Sequence, residues 1–306
     1  MGSKRNGLLE IYRFILCFWP LYYHNFFFFE RDYSIFTVAE LAVDFFFMLS
    51  GYFLMRSMRR EKDGPVLKGM WRLMYGRVRP MAFTMCLIIG FNLVCFVLFI
   101  REDYFNTIFH LFMYWWFVLY LVIAIGLLYL IYRAVKSEKA FAVIIALLAV
   151  AMACLQYAVV VKDMFFNELV FVARALGCIP VGILLSYIPA LKPRKFNVSV
   201  PAVVLLIPTL FYFAYNEKTF FIRLLMIALF GALMYFSCNI PVGGRVFDLL
   251  GQLSVRIYLY MAVLTMLRIF GIENYRMLFV IDLFVASLDL MIHIYRQKYK
   301  AQASKA

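Results

Sequence analysis

Charge is scarce in this sequence. Asp, Glu, Lys and Arg make up 16% of its 306 residues, against about 25% in a soluble domain. A water-soluble chain of this length must wet its surface, and this one has too few polar groups to do so. Histidine is scarcer still, with three residues. The six cysteines (Cys17, Cys86, Cys95, Cys154, Cys178 and Cys238) show no C-x-x-C spacing and no pairing with histidine. They are read as free thiols, and no metal site is expected. No small-residue cleavage site follows the first apolar run, and Asn6 breaks the N-myristoylation pattern that Gly2 would begin. Nucleic-acid binders, disulfide-stapled secreted domains and disordered chains are excluded by the same composition.

What is present is hydrocarbon: apolar residues make up 66% of the chain. A membrane span takes about 20 mostly apolar residues, and reading apolar runs against charged breaks gives ten candidate helices. They fall near 8–29, 35–55, 80–100, 105–132, 140–161, 165–190, 198–215, 220–240, 250–270 and 275–295. The breaks, such as REDYFN, KSEK and YNEKT, leave no room for a soluble domain. The expectation is one all-α polytopic bundle over residues 1–306, with about ten transmembrane helices. Pro20, Pro180 and Pro208 fall inside runs, where they free backbone carbonyls.

The net charge of +14 sorts by side. With the N-terminus inside, the inner segments hold Lys4, Arg5, Arg13, a dense basic stretch from Arg56 to Arg79, Arg133, Lys136, Lys139, Lys192, Arg194, Lys195, Arg245 and the basic C-terminal tail. The outer breaks hold one or two each. The positive-inside rule then puts both termini in the cytoplasm of a multi-pass protein of the cell membrane, and topology accounts for most of the charge.

Ionisable groups inside spans cost free energy and are functional candidates. On helix 1, Arg13 and His24 are eleven residues apart, so they share a face with His24 about 16 Å further out. On helix 2, Glu40 and Asp44 are i,i+4 neighbours and share a face, and Glu40 falls near the depth of His24. Arg174 on helix 6 falls at a similar depth. A histidine beside a carboxylate is a minimal general base, because the carboxylate fixes the tautomer and favours the imidazolium. The same groups could equally hold the bundle together. Arg256 and Asp289 are read as a structural ion pair. Asp282, Asp289 and His293 are read as a bundle-facing stripe, and His110 as interfacial.

The stretch L-A-V-D-F-F-F-M-L-S-G-Y (41–52), together with Arg13-x10-His24, resembles membrane acyltransferase family 3. R-V-R-P (77–80), W-W-F-V-L-Y (115–120), A-R-A-L-G-C-I-P-V-G (173–182) and L-G-Q-L-S-V-R-I-Y-L-Y (250–260) are similar to later segments of that family, in order. Two features depart from it. Met261 stands where many members carry histidine, and Arg72, Arg77 and Arg79 replace a regular R-x-x-R-x-x-P. The resemblance implies transfer of an acyl group, most often acetyl, from cytoplasmic acyl-CoA to a hydroxyl of an envelope glycan or glycolipid. His24 would be the general base, oriented by Asp44 or Glu40. Arg13, with Arg77 and Arg79, would bind the CoA phosphates, and Arg174 would stabilise the oxyanion. A transporter or export factor for an envelope polysaccharide or lipid-linked sugar, and a non-catalytic partner of a glycan synthase, are the alternatives.

Overall fold

The computed structural model describes residues 6–30, 34–99, 115–161, 168–189, 191, 198–216, 220–269 and 274–303. Among these it contains ten α-helices and no strand. They are α1 (Gly7–Glu30), α2 (Ser34–Arg60), α3 (Val66–Phe99), α4 (Trp116–Ala134), α5 (Glu138–Val161), α6 (Glu168–Leu185), α7 (Ser199–Asn216), α8 (Phe220–Cys238), α9 (Arg245–Ile269) and α10 (Tyr275–Ala303). Each matches one of the ten apolar runs. Among the described residues, five segments are long and apolar enough to cross a membrane: Ala39–Arg60, Trp116–Ala134, Glu138–Gln156, Phe221–Cys238 and Arg276–Tyr299. The part of the expected fourth helix before residue 115, with His110, lies outside the described residues.

Local chemistry sets several helix ends. The Asn6 side-chain oxygen accepts from the backbone N–H groups of Leu8 and Leu9 at 3.1 and 3.3 Å and so caps α1. Asn274 does the same for Arg276 and Met277 at the start of α10. Each satisfies donors that an N-terminal turn leaves open.

The third helix differs from expectation. It begins at Val66, not near 80, because charge does not stop a helix: Lys, Arg, Leu and Met are good helix formers. Hydropathy marks only the second half of the element. The first half rests on α4, where the Tyr129 hydroxyl lies against Gly69 and the sulfurs of Met70 and Met74 lie over Gly126. The turn before it is fastened as well. Tyr129 donates to the Glu61 carbonyl at 2.8 Å, and Arg133 Nη1 donates to the carbonyls of Glu61 and Gly64 at 2.9 and 2.8 Å.

The chain divides into two compact units. Unit 1 comprises Met1–Phe36, Met81–Trp115 and Gly243–Ala306. In it α1, α9 and α10 pack on one another, with Leu9, Cys17, Leu21, Ile257 and Leu278 buried. Unit 2 comprises Thr37–Pro80 and Trp116–Val242. Here α5 packs on α6, α7 on α8, and α6 on α4 and α8. Backbone meets backbone between α2 and α6: Gly51 abuts the Ile179 carbonyl and Gly182 the Met48 carbonyl. Small residues give membrane helices this approach, which gains dispersion where hydrophobic burial gives no drive. From Asp44 with Arg174, through Gly51 with Ile179, to Met55 with Tyr187, the contacting residue numbers rise together, so α2 and α6 run parallel. The five described cysteines are free thiols.

Gly182→Ala should therefore be costly. Its Cβ would strike the Met48 carbonyl, and such overpacking costs about 1–3 kcal/mol. Gly76 in α3 has nothing within 4 Å of an added Cβ, so Gly76→Ala should stabilise by about 0.5–1 kcal/mol. Thermal unfolding of the two variants in detergent should shift in opposite directions.

Candidate functional site

Four charged side chains meet in the interior of unit 2. Glu40 and Asp44 come from one face of α2, Arg174 from α6 and Arg223 from α8. Arg174 Nε donates to Asp44 Oδ1 at 3.0 Å, and its Nη1 to Glu40 Oε1 at 2.8 Å. Its Nη2 donates to the Glu40 carbonyl. Arg223 Nη1 donates to Glu40 Oε2 at 3.0 Å, and its Nη2 to Asp44 Oδ2 at 2.9 Å. Each arginine thus bridges both carboxylates, and each carboxylate oxygen holds one guanidinium nitrogen. Asp44 and Arg174 are 1% and 2% exposed. Glu40 and Arg223 are less deeply buried. The Arg174 guanidinium also lies 5.5 Å from the Trp116 ring centre, and Phe171 stacks on that ring at 4.3 Å.

The two positive and two negative charges sum to zero. A buried charge without a counter-charge is expensive, whereas a paired and fully hydrogen-bonded one is tolerated. The i,i+4 spacing on α2 makes the arrangement possible, because it stacks the carboxylates one turn apart where two forked side chains can span them. Depth along the sequence puts Glu40 and Arg174 at one level and sets the carboxylates beside His24; the structure pairs both carboxylates with Arg174. Arg223 was not anticipated. It lies three residues into α8, beside the YNEKT break, and reads as a boundary charge that would snorkel outward. Its signal is that two carboxylates on α2 leave Arg174 one positive charge short.

Unit 1 holds Arg13 and His24 on α1, which is helical throughout Gly7–Glu30. An unbroken helix keeps the two positions on one side, about 16 Å apart along the axis. The His24 side chain lies outside what the structure describes. Arg13 Nη1 donates to Glu10 Oε2 at 2.8 Å. Glu10 is itself buried against Gly251 of α9, where a Cβ would collide with its carboxylate. Nearby, Arg256 Nε lies 3.2 Å from Asp289 Oδ2, the ion pair expected from sequence. The Thr84 hydroxyl donates to the same oxygen at 2.6 Å. Met261 is buried. The stripe on α10 faces inward at Asp282 and Asp289, which are buried, and is part-exposed at His293. Asp289 belongs to this pair and His293 bonds Gln297 at 2.8 Å, while Asp282 is buried with neither oxygen hydrogen-bonded.

Arg77 and Arg79 sit on the last turn of α3 before Pro80, Arg77 half-buried and Arg79 exposed. No group of three or more metal-ligating side chains occurs among the described residues.

The unit 2 cluster generates a non-additive prediction. Asp44→Asn leaves two guanidiniums with one carboxylate and should destabilise by about 3–5 kcal/mol. Arg223→Gln added to it restores neutrality and should recover part of that loss. A double-mutant cycle on thermal unfolding reads this as a coupling well outside additivity.

The model of the acyltransferase domain of family 3 matches residues 6–294, and so takes in all ten helices in whole or in large part. No curated protein and no solved structure matches the chain. The resemblance carried by the 41–52 stretch and by Arg13 and His24 thus extends over nearly the whole length, and the chain belongs to acyltransferase family 3.

Proposed function

We propose that this integral membrane acyltransferase moves an acyl group, acetyl in the first instance, from cytoplasmic acyl-CoA to a hydroxyl of an envelope glycan or glycolipid. The family match over residues 6–294 carries the reading. It is supported by the continuity of α1, which keeps Arg13 and His24 on one side of one helix. In this proposal the chain crosses the cell membrane about ten times with both ends cytoplasmic.

Arg13 holds a CoA phosphate at the inner end of α1, where a planar and permanently charged fork suits it. Arg77 and Arg79 add to the same electrostatic attraction. The pantetheine arm then spans the roughly 16 Å to the level of His24. His24 takes the proton from the acceptor hydroxyl as its oxygen attacks the thioester carbonyl. The C–S bond breaks, and the imidazolium returns its proton to the departing thiolate. The products are an O-acyl ester and free CoA, with no net proton change.

The orienting role that the resemblance implies for Asp44 or Glu40 rests on depth along the sequence; within unit 2 every oxygen of both carboxylates already accepts from Arg174 or Arg223. Arg174 stabilises the tetrahedral oxyanion only by exchanging one of its present bonds, since its donors already serve Glu40 and Asp44. Its prior role is to hold those carboxylates in place.

Labelled acetyl-CoA supplied to membranes carrying the protein tests the reading. His24→Ala should lower label transfer by about 10²–10⁴-fold, the usual worth of a general base, while the protein still inserts and folds. Retention of full transfer by that variant, or no consumption of acetyl-CoA by the wild type with any acceptor, overturns the proposal. Arg13→Ala should instead raise the KM for acetyl-CoA, by about tenfold or more for a lost charged hydrogen bond. Its kcat should change much less, because phosphate binding is shared by ground and transition states.

A further inference from the structure

The first half of α3 has two faces of opposite character. Gly69 and Leu73 are buried, with Met70 and Met74 against α4. On the other face Leu67, Trp71 and Tyr75 are 67%, 63% and 61% exposed. Their i, i+4, i+8 spacing lines them up on one stripe. Lys68 and Arg72, one position further along at each turn, form a parallel basic stripe, also exposed. Lys68 forms no ion pair among the described residues. Arg72 donates through Nη1 alone, to Glu61 at 2.9–3.1 Å, and is 59% exposed.

Packing fixes the depth of this face. Gly69 meets Tyr129, and Met70 and Met74 lie over Gly126, both on the candidate span Trp116–Ala134. Tyr129 and Gly126 lie five and eight residues before Ala134, about 7 and 12 Å along the axis. Trp71 therefore runs beside the final turns of an apolar span. Tyr, Trp and basic residues gather at that level of a bilayer, where an apolar ring meets hydrocarbon and a long cationic side chain snorkels to the headgroups.

We propose that the Leu67–Trp71–Tyr75 stripe, with Lys68 and Arg72, is an interfacial face of unit 2 that binds anionic lipid headgroups. The apolar stripe enters the acyl boundary and the two cations meet phosphate. A single exposed helix face of this kind offers a surface and not a concavity, so it suits a sheet of lipid better than a soluble nucleotide. The inference does not depend on the reaction proposed above.

Fluorescence of the full-length protein in bilayers tests it, taking the Trp71 component as the difference between wild type and Trp71→Phe. Brominated phosphatidylglycerol should quench that component more strongly than brominated phosphatidylcholine. Lys68→Gln combined with Arg72→Gln should weaken the preference, on the order of fivefold. High salt should weaken it in the unmodified protein too, which reads the charge effect with no substitution. Equal quenching by the two brominated lipids removes the anionic specificity and overturns the proposal. So does quenching by aqueous iodide without quenching by either lipid. Quenching on addition of acetyl-CoA alone would assign the face to the nucleotide and would also overturn it.

Discussion

A charge within an apolar helix must bring its counter-charge with it. The cost of an unpaired ion in hydrocarbon exceeds what any single packing contact returns. The chain meets that constraint in both of its units, with the exception of Asp282, which is buried with neither oxygen hydrogen-bonded. Unit 2 gathers Glu40, Asp44, Arg174 and Arg223 into a neutral set, with every carboxylate oxygen engaged. Unit 1 pairs Glu10 with Arg13, and Asp289 with Arg256 and Thr84. Because each set draws on more than one helix or locks one turn against a neighbour, pairing the charges also decides which faces of α2, α6 and α8 meet. Specificity of arrangement, more than net stability, is what a buried network of this kind supplies, since an apolar replacement of equal shape is often as stable.

Carboxylate side chains are short, so the pairing works only where helices come close. In both units a glycine provides the room. Gly51 and Gly182 let α2 and α6 touch backbone to backbone within two turns of Asp44 and Arg174, and Gly251 admits the Glu10 carboxylate against α9. Arginine covers the rest of the distance, because its long stem tolerates small errors in depth that aspartate does not. An Arg-to-Lys exchange at either bridging position would keep the charge and lose the bridge, since one ammonium cannot present the fixed fork that reaches two carboxylates at once.

Much of this was legible in sequence, and for identifiable reasons. Each of the ten apolar runs corresponds to a helix among the described residues, because a chain that apolar must satisfy its backbone within itself. Arg256 and Asp289 pair as depth alone suggests, because axial rise is fixed at 1.5 Å per residue. Depth also puts Glu40 and Arg174 at one level, but it sets the carboxylates beside His24 and does not show that they pair with Arg174. Arg223 was not legible, since a cation three residues inside a helix end has two destinations: outward to water, or inward to a carboxylate. Only the geometry of α2 and α6 chooses between them. The start of α3 escaped for a related reason. Hydropathy reports where a helix crosses lipid and is silent on where it continues beyond, so Lys68, Arg72, Arg77 and Arg79 read only as part of a basic inner segment between two apolar runs. They lie on a helix whose other face is held by Gly126 and Tyr129.

That limit bears on how the net charge of +14 is divided. Read as one inner segment, the stretch from Arg56 to Arg79 is a diffuse positive-inside signal. Read as the end of α2, a fastened turn and four turns of α3, it becomes a set of positions with different tasks. Arg59 is occupied by Glu138 through two bonds at 3.1 and 2.8 Å. Arg72 keeps a bond to Glu61 while still facing outward. Glu61 in turn gives its carbonyl to Tyr129 and Arg133. Rigidity separates these tasks. A basic segment on a flexible loop attracts anions only in the average, whereas one fixed against α4 presents each cation at a set depth and on a set face. Lys68 and Arg72 are thereby held on one exposed face, and Arg77 and Arg79 on the turn before Pro80, with Arg77 half-buried.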